Sequence, residues 1–483
     1  MQHGGKRRGS GRNPLPENQK KIAKTIYITP TQHNDIEKYA QGNSFSEKCI
    51  DLISAQLERR KRSENWEVKF IDLFAGLGGI RLGFENAFRN KGFIPKCVFS
   101  SEIKDYAVEA YKNYFKDTEV FGDITKIPAT DIEDFDFLLA GFPCQPFSSA
   151  GLQLGFEDTR GTLFFEIERI LEEKKPYGFL LENVEGLIKH DKGRTLSIIV
   201  NRLKKLNYFV SYKLIDSKYF GLAQSRKRVY IVGTKDAHVS LDNFEESTAV
   251  LGDILEHNLP TVDSTFTRKL FEHFTPEEVI GKAIKDKRGG PDNIHSWEIG
   301  LKGETTPEQT ELLNLLLRER RKKKWAAEIG IDWMDGMPLT EEQIATFYPK
   351  DNLREILDEL VDMGYLTLEY PRKRVNNRRI PDETKPKGYN IVTGKLSFEF
   401  TKILDPADLA PTLVAMDVSR LGVIDNGGLR RLSIREVQRL FGFPEDYDLS
   451  FLKEKEAFDL LGNTVCIPVI KAISERLADI YKA

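Results

Sequence analysis

The stretch Val68-Lys69-Phe70-Ile71-Asp72-Leu73-Phe74-Ala75-Gly76-Leu77-Gly78-Gly79 decides the fold. A short apolar run ends in a glycine turn, and GIRLGFENAFRN follows it with helical spacing. Working outward, the alternation continues through CVFSSEI and KDYAVEAYKNYF, then FDFLLAGF, RGTLFFEIERILEEKK, YGFLLENV and RVYIVG. Short apolar runs alternating with amphipathic helices predict an α/β domain with a parallel, doubly wound, Rossmann-like sheet. The rhythm holds over 65–235 and lapses over 236–455, where polar and basic segments dominate. A terminal segment, 456–483, ends in a helix beginning near Ile467 and returns to the first domain.

The chain has 483 residues, enough for two or three domains, with 40% hydrophobic and 30% charged residues and a net charge of −2. Its four cysteines, Cys49, Cys97, Cys144 and Cys466, form no C-x-x-C and have no nearby histidine pair. That spacing argues against a zinc site or any other metal site, and against a disulfide framework. No secretory h-region follows the basic N-terminus, and no apolar run reaches about 18 residues. A cytoplasmic protein with no membrane segment is expected. Residues 1–24 carry Lys6, Arg7, Arg8, Arg12, Lys20, Lys21 and Lys24 against Glu17, which suits either an anionic partner or a solvated tail.

The glycine loop lacks the third glycine of a dinucleotide fingerprint, because Arg81 stands in its place. The glycines let the backbone come close to a ligand at a helix N-terminus, with a plain tight turn as the alternative. Glu102 closes the next strand and Asp123 follows the helix after it. At the carboxyl ends of strands they suit a ribose diol and an adenine amino group, or they cap helices. Cys144 ends the strand FDFLLAGF, Glu182 and Asn183 end FLLENV, and Gln224, Arg226 and Arg228 share one side of an extended segment. Thiol, carboxylate and guanidinium at one crevice can activate a nucleophile and move a proton. Taken singly, each has a structural alternative: a buried cysteine, a helix cap, a solvated charge run.

Seven segments, DLFAGLGG, GFPCQPFS, RGTLFFEIERI, LLENV, QSRKRVYIVG, RLSIREVQRLFGFP and GNTVCIPVI, occur in the order seen in DNA (cytosine-5) methyltransferases, and the chain resembles that family over roughly 66–234 and 410–475. The resemblance implies that Cys144 adds to C6 of a flipped cytosine, Glu182 protonates N3, Arg226 orients the base, Arg228 braces nearby and Asn183 shapes the Glu182 loop. It also implies S-adenosylmethionine as cofactor, held by Phe74, Gly76, Gly78, Gly79, Glu102, Ile103, Asp123, Ile124, Pro143, Leu163, Asn463 and Val465. Ile103 is a departure, standing where several relatives place an aromatic residue against the adenine.

Double-stranded DNA is then the expected partner, read by the region without a motif match. Thr306–Arg321 predicts a helix running into the basic segment 318–324. EEQIATFY, NLREILDELVDMGY, LTLEY and PRKR give helix, helix, strand and basic turn. That order resembles a winged helix, with a surface-charged helical insertion as the alternative. Gln224, Arg320, Arg321, Lys373 and Arg374 are the expected DNA contacts here. Residues 1–64 read as a strand over Lys24–Pro30 and two helices, a pattern that resembles a ribbon–helix–helix repressor. In that reading the module homodimerises, Thr25, Tyr27 and Thr29 face bases and Cys49 is core; the alternative is a helical extension packed on the catalytic domain.

The function expected is sequence-specific cytosine C5 methylation, tied to a restriction–modification system and a linked endonuclease gene, with the N-terminal module repressing transcription. The rivals are a tRNA-directed enzyme of the same family, a catalytically silent DNA-binding regulator and a nucleotide-dependent oxidoreductase.

Overall fold

The computed structural model describes residues 28–64, 67–116, 118–143, 163–375, 378–392, 398–415 and 417–482. The chain divides into two compact units that meet at Asn65 and Trp66.

The first unit contains α1 (Pro30–Tyr39) and α2 (Phe45–Glu64). Thr29 caps α1: its hydroxyl accepts from Gln32 N–H while the Gln32 side chain accepts from Thr29 N–H at 2.9 Å. Proline in the first turn needs no donor there and starts the helix. Ser44, rather than Ser46, caps α2 by accepting from Glu47 N–H at 3.2 Å. The expected strand is not seen at Ile28 and Thr29, which are irregular, and Thr25 and Tyr27 lie outside the described residues. Cys49 is half-buried rather than core. Tyr39, Ile50 and Ile53 are exposed.

The second unit is built on a seven-stranded sheet. In chain order its elements are β1 (Glu67–Leu73), α3 (Gly79–Asn90), β2 (Ile94–Ser101), α4 (Asp105–Tyr114), β3 (Val120–Phe121), β4 (Phe137–Gly141), α5 (Leu163–Lys174), β5 (Gly178–Val184), α6 (Arg194–Lys205), β6 (Phe209–Asp216) and β7 (Lys227–Thr234). The strand order is β3-β2-β1-β4-β5-β7-β6. All pairings are parallel except those of β7, which runs antiparallel to β5 and β6 and corrects the expectation of an all-parallel sheet.

Alternation along β1 sends Val68 and Phe70 into one apolar layer and Ile71 and Leu73 into the other. Helices α5 and α6 pack on the second layer. The first layer receives α3 and α4, then α10 (Ile434–Phe441), α11 (Glu454–Asn463) and α12 (Ile467–Lys482) from the far end of the sequence. The segment Glu454–Lys482 is apolar and long enough by composition to span a bilayer, but most of it is buried as a core helix of this layer. Residues 434–453, assigned from sequence to the middle region, also contribute Phe441, Phe443 and Tyr447 to this core.

Between β7 and α10, two of the smaller apolar centres among the described residues are built on strands and helices. One is built around a five-stranded sheet in which β8 (Ala283–Ile284), β9 (Asn293–Ile294), β14 (Lys402–Ile403), β15 (Leu421–Asp425) and β16 (Gly428–Arg431) take part. The other holds α7 (Pro307–Glu319), α8 (Glu341–Ala345), α9 (Leu353–Asp362), β10 (Leu366–Glu369) and β13 (Gly388–Ile391), with a separate hairpin of β11 (Arg372–Val375) and β12 (Arg378–Pro381).

Candidate active site

The order of the sheet reverses between β1 and β4, so a crevice opens at the carboxyl ends of these strands. The glycine loop lines it. Gly76 and Gly78 adopt φ of 53° and 69°, and Phe74 joins them at 57°, a strained value for a residue with a side chain. A Cβ added to Gly78 would sit 2.4 Å from the Phe115 ring, whereas one on Gly76 would meet nothing within 4 Å. The loop is thus pressed onto the core on one side and open on the other.

Glu102 closes this loop. One carboxylate oxygen accepts from Gly76 N–H at 2.9 Å, and the other from Ile103 and Lys104 N–H at 2.8 and 2.9 Å. Ile103 beside it is 71% exposed and presents an apolar side chain at the rim of the crevice. Asp123 accepts from the amide and hydroxyl of Thr125 at 3.1 and 2.8 Å, and so caps a short turn after β3. Ile124 points into the core and can offer only its backbone. Thr464 and Val465 lie against Gly79, close enough that a Cβ there would meet them at about 3 Å. Lys104 and Tyr106 both bind Asp459 at 2.7 Å and tie α11 to the end of β2. Asn463 is exposed and donates back to Asp459 O. Pro143 is exposed and Leu163 opens α5 half-buried.

Beneath the loop is a buried polar group that sequence reading passed over. Arg81 donates to Glu85 at 2.6 Å, to Thr118 at 2.7 Å and to Tyr111 at 3.1 Å, and the Tyr111 hydroxyl donates to Asp72 at 3.1 Å. Burial pushes the Asp72 carboxyl up to about 7, with Arg81 and Tyr111 opposing.

At the other side of the crevice, Glu182 at the end of β5 is 8% exposed and its Oε1 lies 3.0 Å from Arg228 Nε. Burial raises its pKa, opposed by the charges of Arg228 and Arg226. Asn183 donates to Phe142 O at 2.9 Å and accepts from Val184 N–H, fastening the end of β4 to the end of β5. Cys144, two residues beyond Phe142, lies outside the described residues.

The two arginines have different surroundings. Arg226 is 3% exposed and donates to the carbonyls of Leu413, Gly462 and Thr464 at 2.6, 3.1 and 2.9 Å. Arg226 is thus engaged by backbone carbonyls, and Arg228 is the arginine that faces the Glu182 carboxylate. Both arginines lie on one side of the extended segment, and position along it separates them: Arg226, just before β7, meets the carbonyls of Leu413, Gly462 and Thr464, whereas Arg228, inside β7, lies beside the end of β5.

Residues 68–479 match the family model for C-5 cytosine-specific DNA methylase. The chain belongs to this family. It is 58% identical over 418 residues to the Type II methyltransferase M.NlaIV of Neisseria lactamica, covering 85% of this chain and 99% of that protein. M.BanI of Aneurinibacillus aneurinilyticus is 43% identical over 436 residues, covering 85% and 96% of the two chains. M1.ScrFI of Lactococcus lactis subsp. cremoris is 31% identical over 473 residues, covering 96% of this chain and 92% of its own.

Several DNA contacts expected of this methylase are placed elsewhere. Gln224 is fully buried, donating to Leu440 O and accepting from Leu413 N–H. Arg320 is 3% exposed and bonds Asn390 and Lys287 O, with burial lowering its pKa to about 10. Arg321 is held by both oxygens of Asp335. Lys373 pairs with Asp382 at 2.9 Å, while Arg374 is exposed on the hairpin. The Thr29 hydroxyl is engaged in its cap. The local charge pattern around 318–324 looked solvent-facing because the acidic and amide partners that absorb it are 14 to 70 residues away.

Proposed function

We propose that this chain methylates C5 of a cytosine turned out of duplex DNA at a specific sequence, as the modification enzyme of a restriction system, with a linked endonuclease gene. The carrying observation is the buried Glu182, raised in pKa by burial and contacted by Arg228, beside the Asn183 tether to the strand that leads to Cys144.

Cytosine C5 is too weak a nucleophile to react unaided. The Cys144 thiolate adds to C6, while Glu182 delivers a proton to N3, so the ring gains no net negative charge. Arg228 holds the Glu182 carboxyl in place and retains positive charge beside the reacting ring. Asn183 fixes the approach of the Cys144 strand. S-adenosylmethionine supplies the electrophilic methyl group when bound. After C5 is methylated, loss of its proton expels the Cys144 sulfur and restores the aromatic ring, and Glu182 takes back the N3 proton.

The crevice fits that cofactor on its own chemistry. The open side of Gly76 lets a ligand reach the backbone, exposed Ile103 offers a face for adenine, and Glu102 and Asp123 supply acceptors for hydroxyl and amino groups. Glu102 already accepts three backbone bonds, so its remaining lone-pair capacity serves the ribose. Turning the base out costs a few kcal/mol, which is recovered by contacts in the pocket.

The test uses a duplex containing 5-fluorocytosine in place of cytosine. The whole protein with cofactor should form a covalent adduct at Cys144, and Cys144→Ser should abolish adduct and methyl transfer while keeping cofactor affinity. Labelled methyl should enter duplex DNA and not tRNA. No adduct at a bound site would support a silent regulator instead.

The N-terminal unit adds transcriptional repression of the enzyme's own or its companion's gene, acting as a homodimer in the cytoplasm. Exposed Tyr39, Ile50 and Ile53 supply apolar surface for a second copy, and the 96% alignment with M1.ScrFI shows that a relative carries most of this extension. Full-length protein should bind its upstream DNA and lower reporter output; equal behaviour of a chain starting at residue 65 would refute it.

A further inference from the structure

The structure orders the middle region in a way the charge pattern alone does not convey. Helix α7 is followed by a bridge from Leu339 to Tyr389, helices α8 and α9, strand β10, the β11–β12 hairpin, and β13 paired antiparallel with β10. This is the element order of a winged helix, with α9 in the position of the helix that ordinarily enters a groove and β11–β12 as the wing.

Helix α9 is poorly suited to that task here. Its buried stripe, Leu353, Ile356, Leu357 and Leu360, faces the core, and the exposed side presents Glu355, Asp358, Glu359 and Asp362. Its one cation, Arg354, is occupied by Asp358 at 3.0 Å and Glu341 at 2.9 Å. An acidic face brought against phosphate is repelled.

The hairpin has the opposite character. Arg372, Arg374, Arg378 and Arg379 are all exposed. Among the described residues no carboxylate lies within ion-pair distance of Arg372, Arg378 or Arg379. Register pairs Arg374 directly with Arg379, and Arg372 with Pro381 on the same face. Among the described residues this hairpin hydrogen-bonds to no further strand. Lys373, held by buried Asp382, anchors its base. Four residues per strand give a length of about 13 Å, near the width of a major groove.

We propose that the β11–β12 ribbon, with the face carrying Arg372, Arg374 and Arg379, enters the DNA groove, and that α9 stays off the DNA. The inference rests on the methyltransferase reading above, and it names the element that reads the substrate. The ribbon's arginines meet phosphates or guanine edges.

The experiment compares full-length wild type with Arg374→Ala/Arg379→Ala and with Glu355→Gln/Asp362→Asn. Binding is measured by anisotropy, over a range of salt, on a short labelled duplex carrying a site that bisulfite sequencing shows the wild type to methylate. The ribbon variant should lose about tenfold or more in affinity, and its log–log salt slope should shrink by about two. Its cofactor affinity and melting temperature should be retained, because both side chains are exposed on the hairpin and away from the cofactor crevice. The α9 variant should bind within about twofold of wild type, since these acids lie away from phosphate. Wild-type affinity in the ribbon variant, or a large change in the α9 variant alone, overturns the inference while leaving the enzyme reading intact. A wild type that methylates no duplex DNA overturns both.

Discussion

Replacing Arg226 with methionine separates bracing from catalysis. The guanidinium donates to three carbonyls, of Leu413, Gly462 and Thr464, within a nearly dry environment. Methionine has similar reach and no donor, so all three acceptors lose their partner. Each buried orphan costs about 1–2 kcal/mol. Against that, a guanidinium whose pKa burial has lowered to about 10 no longer has to be kept out of water. A net loss of about 3–4 kcal/mol is expected. For a unit spanning Trp66–Tyr481 the melting temperature shifts by roughly 1 °C per kcal/mol, so a drop of about 3–4 °C should appear in calorimetry. The pH dependence of single-turnover methyl transfer should keep its midpoint, because Arg226 is only the smaller charge influence on Glu182. Arg228→Met should do the reverse and displace that midpoint upward, having removed the cation 3.0 Å from the carboxylate. An Arg226→Met protein that melts like wild type but shows the displaced profile would refute this division between the two arginines.

Gly78→Ala should lose cofactor binding and stability together, since its Cβ would enter the Phe115 ring and its φ is positive; isothermal titration and melting curves check both. Ile103→Tyr should tighten S-adenosylmethionine binding by a few-fold through stacking on an exposed face, read as KM for the cofactor with kcat little changed. Asp72 has its carboxyl raised to about 7 in the fold, so its neutral form is the one the fold favours. Its contribution is complete below about pH 4 and is lost as pH rises through 7, up to about 4 kcal/mol in all. Asp72→Asn should flatten that part of the stability profile and exceed wild type above pH 8 in urea unfolding; parallel curves would count against it.

The sheet was legible because alternation and helical spacing are local signals. The strand ends at Leu73, Ser101, Gly141 and Val184 fall close to where the apolar runs stop. Strand β6 carries a weaker local signal, since FVSYKLID lies on an edge and exposes Phe209, Tyr212 and Lys213 without a regular alternation. The crevice residues Glu102, Glu182 and Arg228 could be placed by their strand ends alone. The buried roles of Gln224, Arg226 and Arg320 could not, because each is fixed by partners far along the chain, and an arginine in sequence looks the same whether it meets water or three carbonyls. A threonine before proline suits a strand and a cap alike in sequence, and here Gln32 completes a cap with Thr29.

The middle region leaves and rejoins the catalytic unit at neighbouring points. Ala410 N–H donates to Ala223 O, Ser225 N–H donates to Ala410 O, and the Thr412 hydroxyl donates to Ser225 O. The chain thus makes an excursion of well over a hundred residues and is stapled shut at its root. Whatever happens to the length or sequence of that excursion, its two ends need only be brought to the same hydrogen-bonded gate. On the proposed reading, in which this excursion meets the DNA, it can change in sequence while the strands that carry Glu182 and Arg228 keep their register.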